Sequence, residues 1–323
     1  MYEKHFGLRQ RPFRPTPDTA CYYPATSHER ALARLAQAVA DDEGLALLTG
    51  DPGTGKTLLC HKVLERLGPD AATAFLTNSH VGSRAGLLQA VLFDLGLPHE
   101  GRSEQEMRLA LTDFLLTNFA AGRRAVLVVD EAQHLTPDLL EELRLLGNLE
   151  APEGKALQAV LVGQPALLET LRQPGLAAFA QRLAVRVRVE PLSFEEAADY
   201  LLHQLRAAGG RPEAILSGEA VELLARGAHG VPRLLNQAAH QALALAHDAG
   251  ARQVDAEAAL EALALLGLEA DGGEEAAFGV LPGLAAGAAE GEEEESVLAM
   301  PQGDGGAAEA DGASDDEAPR RPA

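Results

Sequence analysis

The chain has 323 residues, 46% of them apolar and 23% charged, with no tryptophan and a formal charge of −21. It contains no run of eighteen apolar residues, which excludes a helix that spans a membrane unaided. The opening MYEKHFGLRQRPF has no apolar stretch followed by a small-residue cleavage site, so the expected location is the cytoplasm. Cys21 and Cys60 lie far apart and match no metal-ligand spacing, which fits a reducing compartment.

Up to residue 268 short β-type runs alternate with amphipathic helical runs, the pattern of an α/β fold with a parallel sheet. The expected strands are Gly44–Thr49, Ala72–Thr77, Ala125–Asp130, Gln158–Val162 and Val185–Val189. The first four are apolar, as strands covered on both faces should be. The last, VRVRV, alternates and is expected nearer an edge. Ser103 with Glu106, and Ser193 with Glu196, have capping-box spacing. Thr136–Pro137 offers an N-cap with proline at the first helical position.

After Leu192 the strand signals stop. Helices are expected at 194–208, 218–228, 233–249 and 255–266, with Gly209, Gly227 and Gly250 as stops. The expected division is an α/β nucleotide-binding core over 1–192, a small all-α lid over 193–268 and an acidic disordered tail over 269–323. The tail carries −13 of the net charge, leaving −8 for residues 1–268. Rich in Gly, Ala, Glu and Asp, it buries too little apolar surface to offset its ordering entropy. Its two apolar patches, FGVLPGL (278–284) and VLAM (297–300), read either as chance or as short docking motifs. The mildly acidic body does not favour a large nucleic-acid surface.

The segment LLTGDPGTGKTLL matches the P-loop pattern at Gly50, Gly55, Lys56 and Thr57, between an expected strand and an expected helix. Its loop residues Asp51, Pro52, Gly53 and Thr54 would surround the phosphates at a helix N-terminus, the glycines letting backbone N–H groups turn inward. Lys56 would neutralise the β- and γ-phosphates of ATP, and the Thr57 hydroxyl would take a place on Mg²⁺. The second motif, AVLVVDEA, ends an apolar strand in Asp130 and Glu131, where side chains enter the ligand crevice. Asp130 would hold the Mg²⁺ hydration shell. Glu131 would orient the attacking water, so the pair favours hydrolysis over switching alone.

Gln164, in LVGQP, would emerge beside these carboxylates as a polar sensor, or serve only as a turn residue before Pro165. Arg182, in FAQRLAVRV, is placed for an arginine that completes a neighbouring subunit's site, with Arg186 and Arg188 as competitors and a solvated role open for all three. Arg233, in GVPRLLNQA, starts a helix and either reaches the γ-phosphate or lies on the surface. His61, His203 and His240 sit in helical runs without HExxH or paired CxxC, so no zinc site is expected.

The strings HFGLRQRPFRPTPD, YYPATSHERALARL, LTGDPGTGKT, VVDEAQHL, EELRLLGNLE, LVGQPAL, FAQRLAVRV and GVPRLLNQAAHQAL together resemble the ExeA/GspA-type AAA+ ATPases. These are the general secretion pathway A-proteins and their relatives in MSHA-type pilus biogenesis. The resemblance covers roughly residues 1–267 and implies an AAA+ P-loop NTPase fold of the additional-strand, catalytic-glutamate type, with a five-stranded core, a helical lid and ring assembly. It implies sensor, finger and lid-arginine roles for Gln164, Arg182 and Arg233, and puts Tyr23 and His28 where relatives build the adenine pocket. The implied partners are further copies of the chain, in an ATP-dependent ring such as a hexamer, and secretion or pilus proteins at the inner-membrane face. A DNA-associated ATPase of the transposition target-selection type is the alternative, disfavoured by the acidic body and the lack of a basic arm. A slow ATP-dependent scaffold that presents its tail is the third reading.

Overall fold

The computed structural model describes residues 2–77, 81–151 and 154–269. The expected tail beyond Glu269, with its two apolar patches, lies outside the described residues.

The central sheet is built from β1 (Leu45–Gly50), β2 (Ala72–Leu76), β3 (Ala125–Val129), β6 (Gln158–Gly163) and β7 (Leu183–Val189), all parallel, in the order β2-β3-β6-β1-β7. Between β3 and β6 in sequence lies a two-stranded antiparallel pair, β4 (Glu150–Ala151) and β5 (Gly154–Lys155), for which the sequence offered no signal. The alternating strand β7 is at an edge, as its pattern predicts. In the sheet, β6 separates β1 from β3, so the strand that leads into the P-loop and the strand that ends in Asp130 are not neighbours. This is the additional-strand arrangement.

The period-2 geometry of a strand sends alternate residues to opposite faces. Leu127 and Val129 of β3 join Leu47 and Leu161 beneath α3 (Arg84–Asp94), α4 (Glu104–Ala120), α5 (Pro137–Gly147), α6 (Ala166–Leu171) and α7 (Ala177–Arg182). Val126, Val128, Val160 and Val162 face α1 (Thr26–Ala40) and α2 (Lys56–Leu67). Both faces are covered, which is why these strands read as unbroken apolar runs.

After β7 come α8 (Phe194–Ala207), α9 (Pro212–Ile215), α10 (Gly218–Gly227), α11 (Pro232–Asp248) and α12 (Ala256–Leu265), packed into a bundle with its own core. The capping boxes at Ser103 and Ser193 form, each hydroxyl accepting from the backbone of the glutamate three residues on. Thr136 makes no side-chain cap; the proline at the first position of α5 starts that helix without it. α10 does end at Gly227, but without a left-handed glycine there. A Cβ there would lie 2.7 Å from Leu263, so this glycine serves the close approach of α12, and the chain turns instead at His229 and Gly230, both at positive φ.

The sequence reading assigned residues 1–192 to the α/β core, but Tyr2, Phe6, Leu8 and Phe13 are buried in the bundle. The Arg9 N–H donates to the Ala208 carbonyl (2.9 Å), and the Tyr2 hydroxyl is hydrogen-bonded to His240 (2.7 Å). The chain then crosses to α1, where the Thr26 N–H donates to Glu196 of α8 (2.8 Å). The bundle is therefore joined to the sheet layers twice, by residues 14–25 and by residues 190–193. Phe13 is 1% exposed. Phe13→Ala is expected to destabilise the protein by about 3–5 kcal/mol through lost burial and a cavity. Chemical denaturation checks this, and a loss below about 1 kcal/mol would show that the segment is not part of the bundle core.

Candidate active site

A cleft of about 770 Å³ opens where the C-terminal ends of the sheet strands meet the bundle and the N-terminal segment. Such a crevice is where an open α/β sheet binds ligands.

β1 delivers its last residue, Gly50, into a loop that ends on the first turn of α2. Gly53 and Gly55 have φ of +85° and +94°, values that L side chains rarely adopt, so only glycine makes this turn without strain. Space argues the same way: a Cβ on Gly53 would lie 2.8 Å from the Arg233 Cβ. The loop is braced from within. The Thr54 hydroxyl donates to the Asp51 carbonyl at 2.8 Å, and the Lys56 Nζ donates to the carbonyls of Gly50 (2.8 Å) and Asp51 (2.9 Å). Lys56 is only 6% exposed. Burial pushes its ammonium below the usual lysine range, while Glu131, Asp130 and Asp51 pull it back up. The result is a desolvated cation at the foot of a helix N-terminus, a setting that favours an anion.

Thr57 and Asp130 come from α2 and the end of β3, yet the Thr57 hydroxyl donates to Asp130 Oδ2 at 2.6 Å. The pair supplies hard oxygen ligands of the kind Mg²⁺ takes alongside phosphates and waters. Asp130 Oδ1 accepts the Glu131 N–H at 2.9 Å. Glu131 itself has φ +53°, a left-handed backbone that a glutamate holds only at a cost of about 1–3 kcal/mol. Gln164 follows β6 and faces the same cleft.

His28 of α1 is 4% exposed and bonded through Nε2 to the Thr54 carbonyl at 2.7 Å. A carbonyl only accepts, so Nε2 carries the proton, and burial lowers the ring's proton affinity further. His28 Nδ1 is then a buried acceptor without a hydrogen-bond partner. Tyr23 lines the cleft with its ring edge-on to Tyr200.

The helical bundle touches the phosphate loop directly. The Arg233 N–H, in the first turn of α11, donates to the Gly53 carbonyl at 3.2 Å. The Arg233 side chain is exposed and lines the cleft. Arg182 is not part of the cleft. It is exposed at the end of α7, beside the edge strand β7. Of its competitors, Arg186 donates to the Ala180 carbonyl at 2.9 Å, and Arg188 lies 3.9 Å from the Asp51 carboxylate.

The residue that sequence reasoning passed over is Gln133. It lies in the short 3-10 turn Ala132–His134, and its side-chain amide bridges Glu131 and Gln164. Its signal was its place two residues after Glu131.

Residues 39–171 match the AAA domain family model. Over 255 residues the chain is 40% identical to General secretion pathway protein A of Aeromonas hydrophila, an alignment covering 79% of this chain and 46% of that one. The chain thus spans about half the length of this curated relative. Among solved structures, the Aeropyrum pernix ORC2 protein superposes with a TM-score of 0.62 at 15% identity, covering 80% of this chain and 72% of that one. Cdc6p of Pyrobaculum aerophilum gives 0.60 at 22%, covering 75% and 67%. The Thermotoga maritima RuvB branch-migration motor gives 0.52 at 18%, covering 77% and 71%. These three share the AAA+ P-loop fold with this chain. With the sheet order, the helical C-terminal region and the 40% identity together, the chain is an AAA+ protein and a relative of General secretion pathway protein A.

Proposed function

We propose that the protein binds ATP with Mg²⁺ and hydrolyses it. The observation that carries this reading is the convergence of Lys56, the Thr57–Asp130 pair and Glu131 at one end of one cleft. Loop N–H groups and Lys56 would hold the phosphates, and Thr57 and Asp130 would hold Mg²⁺, which neutralises phosphate charge when bound. Glu131 would accept a proton from water as the water oxygen attacks the γ-phosphorus and the bridging oxygen leaves with ADP. Tyr23 and His28 would flank the adenine, Gln164 would contact the γ-phosphate, and Arg233 would relay its presence to the bundle, acting as a lid. Arg182 would serve the site of an adjoining copy in a ring.

Lys56→Ala tests the reading. Loss of a charged hydrogen-bonding group should weaken ATP binding by about 10- to 100-fold. Calorimetric titration reads this out, and unchanged affinity in a folded variant would overturn the assignment of the loop.

The relative's name supports a client in a secretion system, and the sequence resemblance extends this to pilus assembly. On this reading the protein works in the cytoplasm, against the inner-membrane face. On this reading the contact would be made through partners; no helix among the described residues is long and apolar enough to cross a membrane. Co-purification from native cells with the Glu131→Gln variant, which holds the ATP state, would identify them.

A further inference from the structure

Glu131 stands on a left-handed backbone at the end of β3, and a carboxylate there has several rotamers to choose from. Gln133 holds it through a hydrogen bond. Its Nε2 donates to Glu131 Oε2 at 2.5 Å, and its Oε1 accepts the backbone N–H of Gln164 at 3.1 Å. The two ends of an amide are easily interchanged, but here the partners decide: a carboxylate only accepts and a backbone N–H only donates. The amide therefore has one orientation, with its donor toward Glu131.

A separate observation shows that room is kept for it. Gly163, the last residue of β6, has no side chain where a Cβ would lie 2.9 Å from Gln133 Oε1 and 2.9 Å from Leu167 Cδ2. Its backbone needs no left-handed conformation, since it is absent from the positive-φ glycines. The glycine leaves open the space beside the Gln133 amide and Leu167.

We propose that Gln133 is a positioning residue for hydrolysis, locking the Glu131 carboxylate in register with the strand end that carries Gln164. The proposal rests on the reading of Glu131 as the group that activates water. Gln133 does not line the cleft and touches no substrate; it acts through Glu131. Its link to Gln164 runs through the backbone N–H, so a shift of the β6 end moves the carboxylate whatever the Gln164 side chain does.

The test measures single-turnover and steady-state ATP hydrolysis, and ATP affinity, in the full chain. Gln133→Met keeps the side-chain volume and removes both hydrogen bonds. It should lower kcat by about 10- to 100-fold, the scale of a reacting group held about 1 Å out of place. ATP affinity and thermal midpoint should hold. Gly163→Ala should displace the amide and lower kcat similarly. Full kcat in Gln133→Met would overturn the proposal. Glu131→Gln run in parallel separates the two ideas. If that variant hydrolyses ATP normally, the reading of Glu131 fails and the positioning role with it. If it is inactive while Gln133→Met is fully active, only the positioning role fails.

Discussion

Glu131→Gln is expected to lower ATP turnover by about 10²- to 10⁴-fold, the range for a lost general base, while ATP binding stays within about twofold. The substitution is nearly isosteric. An amide at 131 can still offer an oxygen to the Gln133 donor, so the local hydrogen bond survives. What disappears is the negative charge and the proton-accepting oxygen facing the cleft. Lys56, Thr57 and Asp130, which would carry binding, are untouched. A rate equal to the unsubstituted protein would remove Glu131 from the chemistry and leave binding alone as the function of the cleft.

Arg182→Ala should produce the larger loss, about 10³- to 10⁵-fold, if its guanidinium completes a neighbour's site. The structure puts Arg182 outside its own cleft and exposed at an edge of the sheet, where a second copy can reach it. Specific activity of the native chain should therefore rise with protein concentration, and Arg182→Ala should abolish the rise without changing the unfolding transition. Mixing Arg182→Ala with Lys56→Ala subunits should restore part of the activity, since an intact phosphate loop then meets an intact arginine. No recovery on mixing, with both variants folded and associated, would reassign the role. Arg186 and Arg188, on the same edge strand, would be the next candidates.

The sheet was legible because burial on both faces forces unbroken apolar runs, and Leu47, Leu127 and Leu161 mark the strand centres without ambiguity. The gathering of Lys56, Thr57, Asp130 and Glu131 in one cleft was legible because the two motifs place them at a helix start and a strand end. The placement of Tyr2, Phe6, Leu8 and Phe13 in the bundle was not. These residues follow neither a 3.6 nor a 2.0 period, and their burial comes wholly from helices nearly two hundred residues away. The Gln133 bridge was hidden for a related reason. The motif names the residue, but only the register of β6 beside β3 tells which N–H its oxygen meets. Gly227 marks the end of α10 as its place suggests, but its second role, making room for Leu263, shows only in the packing.

The two joints between the bundle and the sheet layers have a mechanical meaning. A body fastened at one point can swing in any direction; fastened at two, it keeps one easy rotation, about the line through them. Residues 14–25 and 190–193 define such a line, and the contact between Gly53 and Arg233 lies where the phosphate loop meets the bundle. A rotation of the bundle about that line would carry Arg233 past Gly53 along a single arc. The direction of such a rotation would be set by the chain's connectivity, and residues 1–13 of the N-terminal segment lie apart from Lys56, Thr57, Asp130 and Glu131 in sequence.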